Sequence, residues 1–119
     1  MNTISLIIKT PPISVNQLYQ GRRFLTSKGK SIKERMAWEV KQQYKGKIIT
    51  NPIKINIDFY FKDKRGMDID GALKGLLDCM TGIVWEDDRL IIELHARKFI
   101  DKEKPSMVIS IEEIGKLSS

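Results

Sequence analysis

Six acidic residues and one base lie between positions 68 and 88 of a chain whose formal net charge is +6. This acidic window therefore carries a charge of −5, and the remainder of the chain carries +11. Carboxylates gathered so closely repel one another unless a divalent cation lies among them, and hard oxygen ligands suit Mg²⁺ or Mn²⁺. Such a cation could activate water and stabilise charge that develops on a scissile phosphate. The acids are Asp68, Asp70, Asp78, Glu86, Asp87 and Asp88, and the base is Lys74.

The same residues also have an ordinary structural interpretation. Asp68 or Asp70 could cap a helix, because carboxylates at a helix start bind backbone amides and favour the helix dipole. Asp70 and Lys74 are spaced i, i+4, and exposed pairs of this kind contribute only about 0.3–0.5 kcal/mol. The combination is more specific than its parts, because an Asp-x-Asp, a lysine four residues on and a later Asp-Asp occur together.

The positive charge outside the acidic window favours a polyanionic partner, because a basic surface binds phosphate with release of counterions. Charge alone does not identify nucleic acid, since many basic proteins of this size are structural. In the segment 12–30, bases are interleaved with aromatic residues, a pattern that favours phosphate contacts and stacking on an unpaired base. The residues of this candidate interface are Tyr19, Arg22, Arg23, Phe24, Lys28 and Lys30.

Helical periodicity predicts the element that positions the first two acids. An apolar stripe recurs through residues 69–80, and Thr81-Gly82 can end the helix. Asp70, Lys74 and Asp78 then share the opposite, exposed face. A second amphipathic helix is predicted from an N-cap at Ser31 to about Lys45.

Alternating apolar residues predict four strands, at about 4–8, 53–61, 90–96 and 107–111. The order strand, helix, strand, helix, strand, strand predicts an α+β fold, in which two helices pack on one face of a mixed sheet. The last two strands are expected to form a hairpin. At 119 residues the chain is expected to form one domain, residues 1–119.

Alternation also separates Asp87 from Asp88. If the third strand extends back to them, Asp88 shares the core face with Leu90 and Ile92, and Asp87 points to the other face. Only one of the two can then reach Asp68 and Asp70.

Composition argues against a membrane or secreted protein. No apolar run of about 18 residues is present, and the N-terminus lacks the pattern of a signal peptide. The single cysteine, Cys79, cannot form an internal disulfide and is expected to pack in the core. The sequence therefore predicts a soluble cytoplasmic protein.

Three motifs together resemble the RusA family of Holliday junction resolvases, small nucleases often carried by phages and prophages. They are "PPISVNQLY", "DIDGALKGLLD" and "WEDDRLI". The resemblance implies Asp68, Asp70 and Asp88 as catalytic metal ligands, Lys74 as a catalytic lysine, Mg²⁺ as cofactor with Mn²⁺ as a possible substitute, and a homodimer acting on branched DNA. It also adds Asn16 and Arg65 to the DNA contacts. Gly71 stands where the family usually has asparagine.

The sequence thus predicts a Mg²⁺-dependent endonuclease that resolves four-way junctions by paired symmetric cleavage. Two alternatives stay open. One is a non-catalytic nucleic-acid-binding protein whose acids are caps and surface pairs, and the other is a nuclease for other branched DNA.

Overall fold

The computed structural model describes residues 3–12, 19–20, 24–25, 27–64 and 68–114. Within them, six strands and two helices follow one another along the chain. The strands are β1 (Thr3–Ile8), β2 (Tyr19–Gln20), β3 (Phe24–Leu25), β4 (Ile53–Phe61), β5 (Ile91–Ile100) and β6 (Ser106–Glu113), and the helices are α1 (Ser27–Gln43) and α2 (Ile69–Met80). No helix of these residues is long and apolar enough to cross a membrane.

Four strands form one mixed sheet in the order β1-β6-β4-β5, and β2 and β3 form a separate two-stranded ribbon. β4 is central because its alternating side chains suit burial on one face. Ile55, Ile57 and Phe59 are at most 1% exposed, whereas Lys54 and Asn56 on the opposite face are not buried. The expected α+β fold with a mixed sheet is therefore confirmed.

Both helices cover the face of the sheet that carries these buried residues. The predicted stripe of α2 is found, with Ala72, Leu76 and Met80 at 2% exposure or less. α1 contributes Met36 and Val40 to the same core. The other face of the sheet has no helix over it among the described residues.

The predicted C-terminal hairpin is wrong. β5 pairs with β4 in parallel, and β6 pairs antiparallel with β4 on its other side and with β1. α2 supplies the crossover connection that parallel strands require. β6 reaches the centre of the sheet because Met107, Ile109 and Ile111 are all buried there.

Two predicted boundaries also differ from the structure. α1 begins at Ser27 rather than after a cap at Ser31, which is an exposed residue inside the helix. Residues 88–90 form a 3₁₀ turn before β5, and the β4–β5 register shifts between Ile53 and Lys54. The alternation from Leu94 back to Asp88 is therefore interrupted, and the predicted shared face of Asp88, Leu90 and Ile92 is not supported.

The outer edge of β1 is covered by side chains of α1. Gln43 accepts from the Ile7 amide at 2.8 Å and donates to the Ile7 carbonyl at 2.7 Å, as a neighbouring strand would. The buried Glu39 carboxylate accepts from the amides of Lys9 and Thr10 at 2.9 and 3.2 Å, and from the Thr10 hydroxyl at 2.6 Å. α1 thus satisfies backbone groups that would otherwise be unpaired.

The sheet has two ends that position different functional residues. At the Phe61 end, β4 and β5 finish together, since Phe61 pairs with Ile100. At the Ile53 end, β4 and β5 begin together, since Ile53 pairs with Ile91. α2 connects the two ends and, at twelve residues, is about 18 Å long.

Candidate active site and nucleic-acid interface

Asp68 and Asp70 lie at the first turn of α2, after the connection from the Phe61 end. Asp68 is the N-cap, with extended backbone angles, and its carboxylate accepts from the Gly71 amide at 3.2 Å. Asp70 is exposed in the first helical turn. The helix dipole and the unpaired first amides favour negative charge here. The capping role predicted for Asp68 is therefore present.

Lys74 and Asp78 continue from Asp70 along one exposed face of α2. All three residues are exposed, whereas Gly71 and Gly75 on the other side of the helix are buried. Lys74 thus presents its ammonium to solvent one turn beyond the acids, as the spacing predicts. Gly71, where the family usually has asparagine, is thus on the buried side of the helix.

Asp87 and Asp88 have different environments before β5. The Asp87 carboxylate caps the 3₁₀ turn, accepting from the Arg89 amide at 2.9 Å, and lies 3.3 Å from the Arg89 guanidinium. The bond from the Arg89 amide, followed by the charge of that residue, lowers the pKa of Asp87. Asp88 lies inside the turn and is exposed. The local structure therefore occupies Asp87 as a cap and presents Asp88 to solvent.

The acids of the predicted metal site lie at opposite ends of helix α2. Asp68 and Asp70 lie at the start of α2, whereas Asp88 follows the end of this helix. Near Asp88, the Glu86 amide donates a hydrogen bond to the Ile49 carbonyl at 3.0 Å, close to the start of β4. Among the described residues, no three His, Cys, Asp or Glu side chains are close enough to hold a metal ion together. The described residues of this chain therefore do not fit an ion bound by all three predicted ligands, whose roles stay predictions.

The predicted DNA contacts are only partly described. Lys28 and Lys30 are exposed in the first turn of α1, and Tyr19 contributes its backbone to the β2–β3 ribbon. Asn16, Arg22, Arg23 and Arg65 lie outside the described residues.

A basic cleft at the Phe61 end was not predicted from the sequence. It has a volume of about 560 Å³, and Lys9, Arg35 and Lys104 are among the residues that line it. The backbone of Lys9 is fixed by Glu39, and the Lys104 amide donates to Asp101 at 3.0 Å. The cleft was missed because its three bases come from separate elements, and no local motif connects them.

A family model matches most of the chain. The model described as Endodeoxyribonuclease RusA matches residues 11–112. The chain belongs to the RusA family. The resemblance inferred from three short motifs is thereby confirmed over most of the sequence.

Named RusA proteins are similar over nearly the whole chain. A crossover junction endodeoxyribonuclease RusA from Aquifex aeolicus is 32% identical over 117 residues, covering 93% of this chain and 92% of the relative. The Escherichia coli K12 protein of the same name is 27% identical over 119 residues, covering 97% and 98%. The protein of that name from Enterobacteria phage 82 is 26% identical over 119 residues, with the same coverage.

Proposed function

We propose that this RusA protein is a Mg²⁺-dependent endodeoxyribonuclease that resolves Holliday junctions by paired symmetric cleavage of phosphodiester bonds. The observation that carries the proposal is family membership over residues 11–112, supported by relatives named as crossover junction endodeoxyribonucleases. The net charge of +6 suits a phosphate substrate. The acids at the start of α2 suit a cation that lies between their carboxylates and the phosphate.

Asp68, Asp70 and Asp88 are the proposed ligands of a divalent ion, with Mg²⁺ preferred and Mn²⁺ as a substitute. Divalent-metal dependence is general among nucleases of this family. Lys74 is exposed one turn after Asp70, and we propose that it holds a phosphate oxygen and neutralises charge that develops during cleavage.

The DNA arms are proposed to cross the Phe61 end. The cleft lies at this end of the sheet, and its lining includes Lys9, Arg35 and Lys104 together with one acid, Glu103. The three bases are proposed to contact the DNA backbone. Lys28 and Lys30 would contribute further phosphate contacts, together with the sequence-predicted Asn16, Tyr19, Arg22, Arg23 and Arg65.

The working unit is proposed to be a homodimer, because the two scissile strands of a junction are related by a two-fold axis and a C2 dimer presents two identical sites. Because DNA is the proposed substrate, we propose that the protein acts in the cytoplasm. The similar phage 82 protein favours a phage or prophage gene, which neighbouring phage genes would support.

Cleavage of a synthetic four-way junction tests this function. The purified protein, stripped of metal, should cut only after Mg²⁺ or Mn²⁺ is added, with paired nicks in opposing strands. Linear duplex and flap DNA of the same sequence are the controls. Binding without cutting at any metal concentration would favour the non-catalytic alternative, and equal cutting of flaps would favour a nuclease for other branched DNA.

A further inference from the structure

The face of the sheet opposite the two helices, called the open face below, is aromatic at the Phe61 end. Tyr60 on β4 pairs with Phe99 on β5 and with Ser106 on β6, so these three side chains form one row across the sheet. Phe99 is 39% exposed, and Tyr60 is half-buried. Val108 and Ile7, which pair with each other in the next row, are 37% and 55% exposed. Exposed apolar side chains that lie together, rather than singly, are typical of binding surfaces.

Planar groups of this patch are held against one another. The rings of Tyr60 and Phe99 are stacked, with centroids 5.2 Å apart and 21° between their planes. The Arg97 guanidinium lies 5.4 Å from the centroid of the Phe99 ring, and it donates two bonds to Asp58 at 2.8 and 2.9 Å. Rings that are already fixed lose little conformational entropy when a further planar group stacks on them. The patch is therefore preorganised for a flat ligand.

Room for such a ligand lies on the β6 side of Tyr60. On the β5 side, Phe99 is stacked against Tyr60. On the other side, the paired residue is Ser106, whose small side chain leaves space beside the tyrosine ring. Ser106 also lines the basic cleft that contains Lys9 and Lys104. The open position beside Tyr60 thus adjoins the cleft bases.

Charge on the open face favours an anion at the Phe61 end rather than at the Ile53 end. The row at the Ile53 end contains one base and two acids, Lys54, Glu93 and Glu112, with Lys54 and Glu93 3.1 Å apart. The cleft at the Phe61 end instead contributes three bases and one acid. A ligand that combines flat groups with negative charge therefore fits the Phe61 end.

We propose that the open face at the Phe61 end binds single-stranded DNA, with an unpaired base stacked on Tyr60 above Ser106 and the neighbouring phosphates in the basic cleft. This site rests on the proposed function, which makes DNA the ligand. From Phe99 to Ser106 the row covers two strand spacings, about 10 Å, which is the length of about three stacked nucleotides.

The site distinguishes unpaired from paired DNA. Every base has a flat face that can stack on an aromatic ring, so the contact tolerates any sequence. In a duplex these faces are already stacked on one another, and a base must leave the stack to reach Tyr60. Because α2 covers the opposite face of the sheet, a strand bound here makes a contact additional to those proposed around Asp68 and Asp70.

Two oligonucleotides separate stacking from charge. A fluorescein-labelled oligothymidine and an abasic strand of the same length carry the same phosphates, but only the first has bases. Fluorescence anisotropy in EDTA, which prevents metal-dependent cleavage, should show roughly tenfold tighter binding of the oligothymidine. Equal affinity for the two strands would show that no base stacks on the protein and would overturn the proposal.

Variants locate the stacked base. Tyr60→Leu should lower the affinity for oligothymidine roughly tenfold and leave that for the abasic strand unchanged, which also shows that the variant is folded. Tyr60→Phe keeps the ring and should bind as the wild-type protein does. Trp38→Leu is the matched control, because Trp38 is an aromatic residue of α1 that is 62% exposed. Wild-type affinity in Tyr60→Leu, or a loss in Trp38→Leu instead, contradicts the proposal.

Salt dependence tests the phosphate contacts in the cleft. Lys104→Ala should reduce the slope of log affinity against log salt concentration by about 0.7, the value for one phosphate of a single strand. Lys54→Ala, at the other end of the open face, is the matched control and should keep the wild-type slope. A slope unchanged in Lys104→Ala but reduced in Lys54→Ala would place the strand at the Ile53 end and overturn the proposal.

These outcomes are separable from failure of the proposed function. If the wild-type protein does not cut junctions, the nuclease proposal fails, while anisotropy in EDTA still decides whether the open face binds a single strand. If the protein cuts junctions but does not bind oligothymidine, only this inference fails, and the open face would instead suit a protein partner.

Discussion

The sheet has two outer edges, and the chain treats them in opposite ways. At β1, Gln43 and Glu39 of α1 bond to the exposed backbone from Ile7 to Thr10. At β5, no described element covers ten residues of mostly exposed strand. The chain therefore closes the β1 edge with its own side chains, whereas no strand of the described residues pairs with the outer edge of β5.

The largest predicted effect separates Asp88 from Asp87 at the start of the open edge. Asp88→Asn should lower the junction cleavage rate by on the order of a hundredfold or more, because it removes a charged ligand. Asp87→Asn should retain most activity, because asparagine also caps a helical turn. Single-turnover cleavage at saturating enzyme measures both. A dead Asp87→Asn beside an active Asp88→Asn would require the metal site to be rebuilt around Asp87.

Glu39→Ala should be the most destabilising change at the covered edge. It removes one carboxylate that accepts three bonds and leaves buried donors unpaired, so we expect a loss of about 2–3 kcal/mol in the free energy of unfolding. Glu93→Ala at the open edge is the matched control, because its exposed ion pairs contribute little within a protomer. Urea denaturation below the dimer dissociation constant compares them. Equal losses would remove the distinction between the edges.

Alkylation of Cys79 is a second way to measure the destabilisation that we expect from Glu39→Ala. Burial, as the main cause, raises the pKa of the Cys79 thiol to about 11, so the reactive thiolate is scarce in the folded protein. Its sulfur lies 4.0 Å from the Lys33 carbonyl of α1. Alkylation should therefore require separation of α1 from α2, and it should be faster in Glu39→Ala than in Glu93→Ala.

Gln43→Ala should have a smaller effect on the covered edge. It removes two bonds to Ile7 that lie near the surface, where water can replace part of their energy, and we expect a loss of about 1 kcal/mol. Thermal unfolding measures this change. The dimer dissociation constant should not change, and a weaker dimer would indicate that β1 contributes to assembly.

The smallest predicted effect is on the pH dependence of the 3₁₀ turn before β5. The pKa of Asp87 is lowered in the folded state, mainly by the Arg89 amide. Its contribution to stability is therefore present above the unfolded pKa and is lost as the pH falls through the folded pKa. Asp87→Asn should make acid unfolding slightly less steep in this range. An unchanged acid profile would show that the cap adds nothing measurable.

Local signals in the sequence were sufficient to predict most helices and strands, but not to predict which strands pair with one another. α2 was predicted with its observed bounds, because an apolar stripe, an N-cap and a Thr-Gly end all lie within one segment. The hairpin prediction failed, because alternation in β6 indicates which face is buried and not which strand lies beside it. The start of α1 was missed because its first turn contains Gly29, which is buried in the structure.

For the candidate site, too, the sequence indicated residues but not their positions in the fold. The motifs predict Asp68, Asp70, Lys74 and Asp88 as site residues, and these roles stay predictions. Strand alternation did not place Asp88, since the Asp87 cap begins a 3₁₀ turn. The separation of the acids along α2 follows from a parallel β4–β5 crossover, which no local pattern indicates. The cleft bases likewise become neighbours only through the tertiary fold.

Amide hydrogen exchange at two protein concentrations tests most directly whether the proposed homodimer forms through the uncovered β5 edge. Above the dimer dissociation constant, the β5 amides that do not bond to β4 should be protected, and dilution into the monomer should expose them. The amides of Ile7, Lys9 and Thr10 should be protected at both concentrations, because α1 binds them within the protomer. Fast exchange along β5 in a protein that is dimeric by mass would contradict the account.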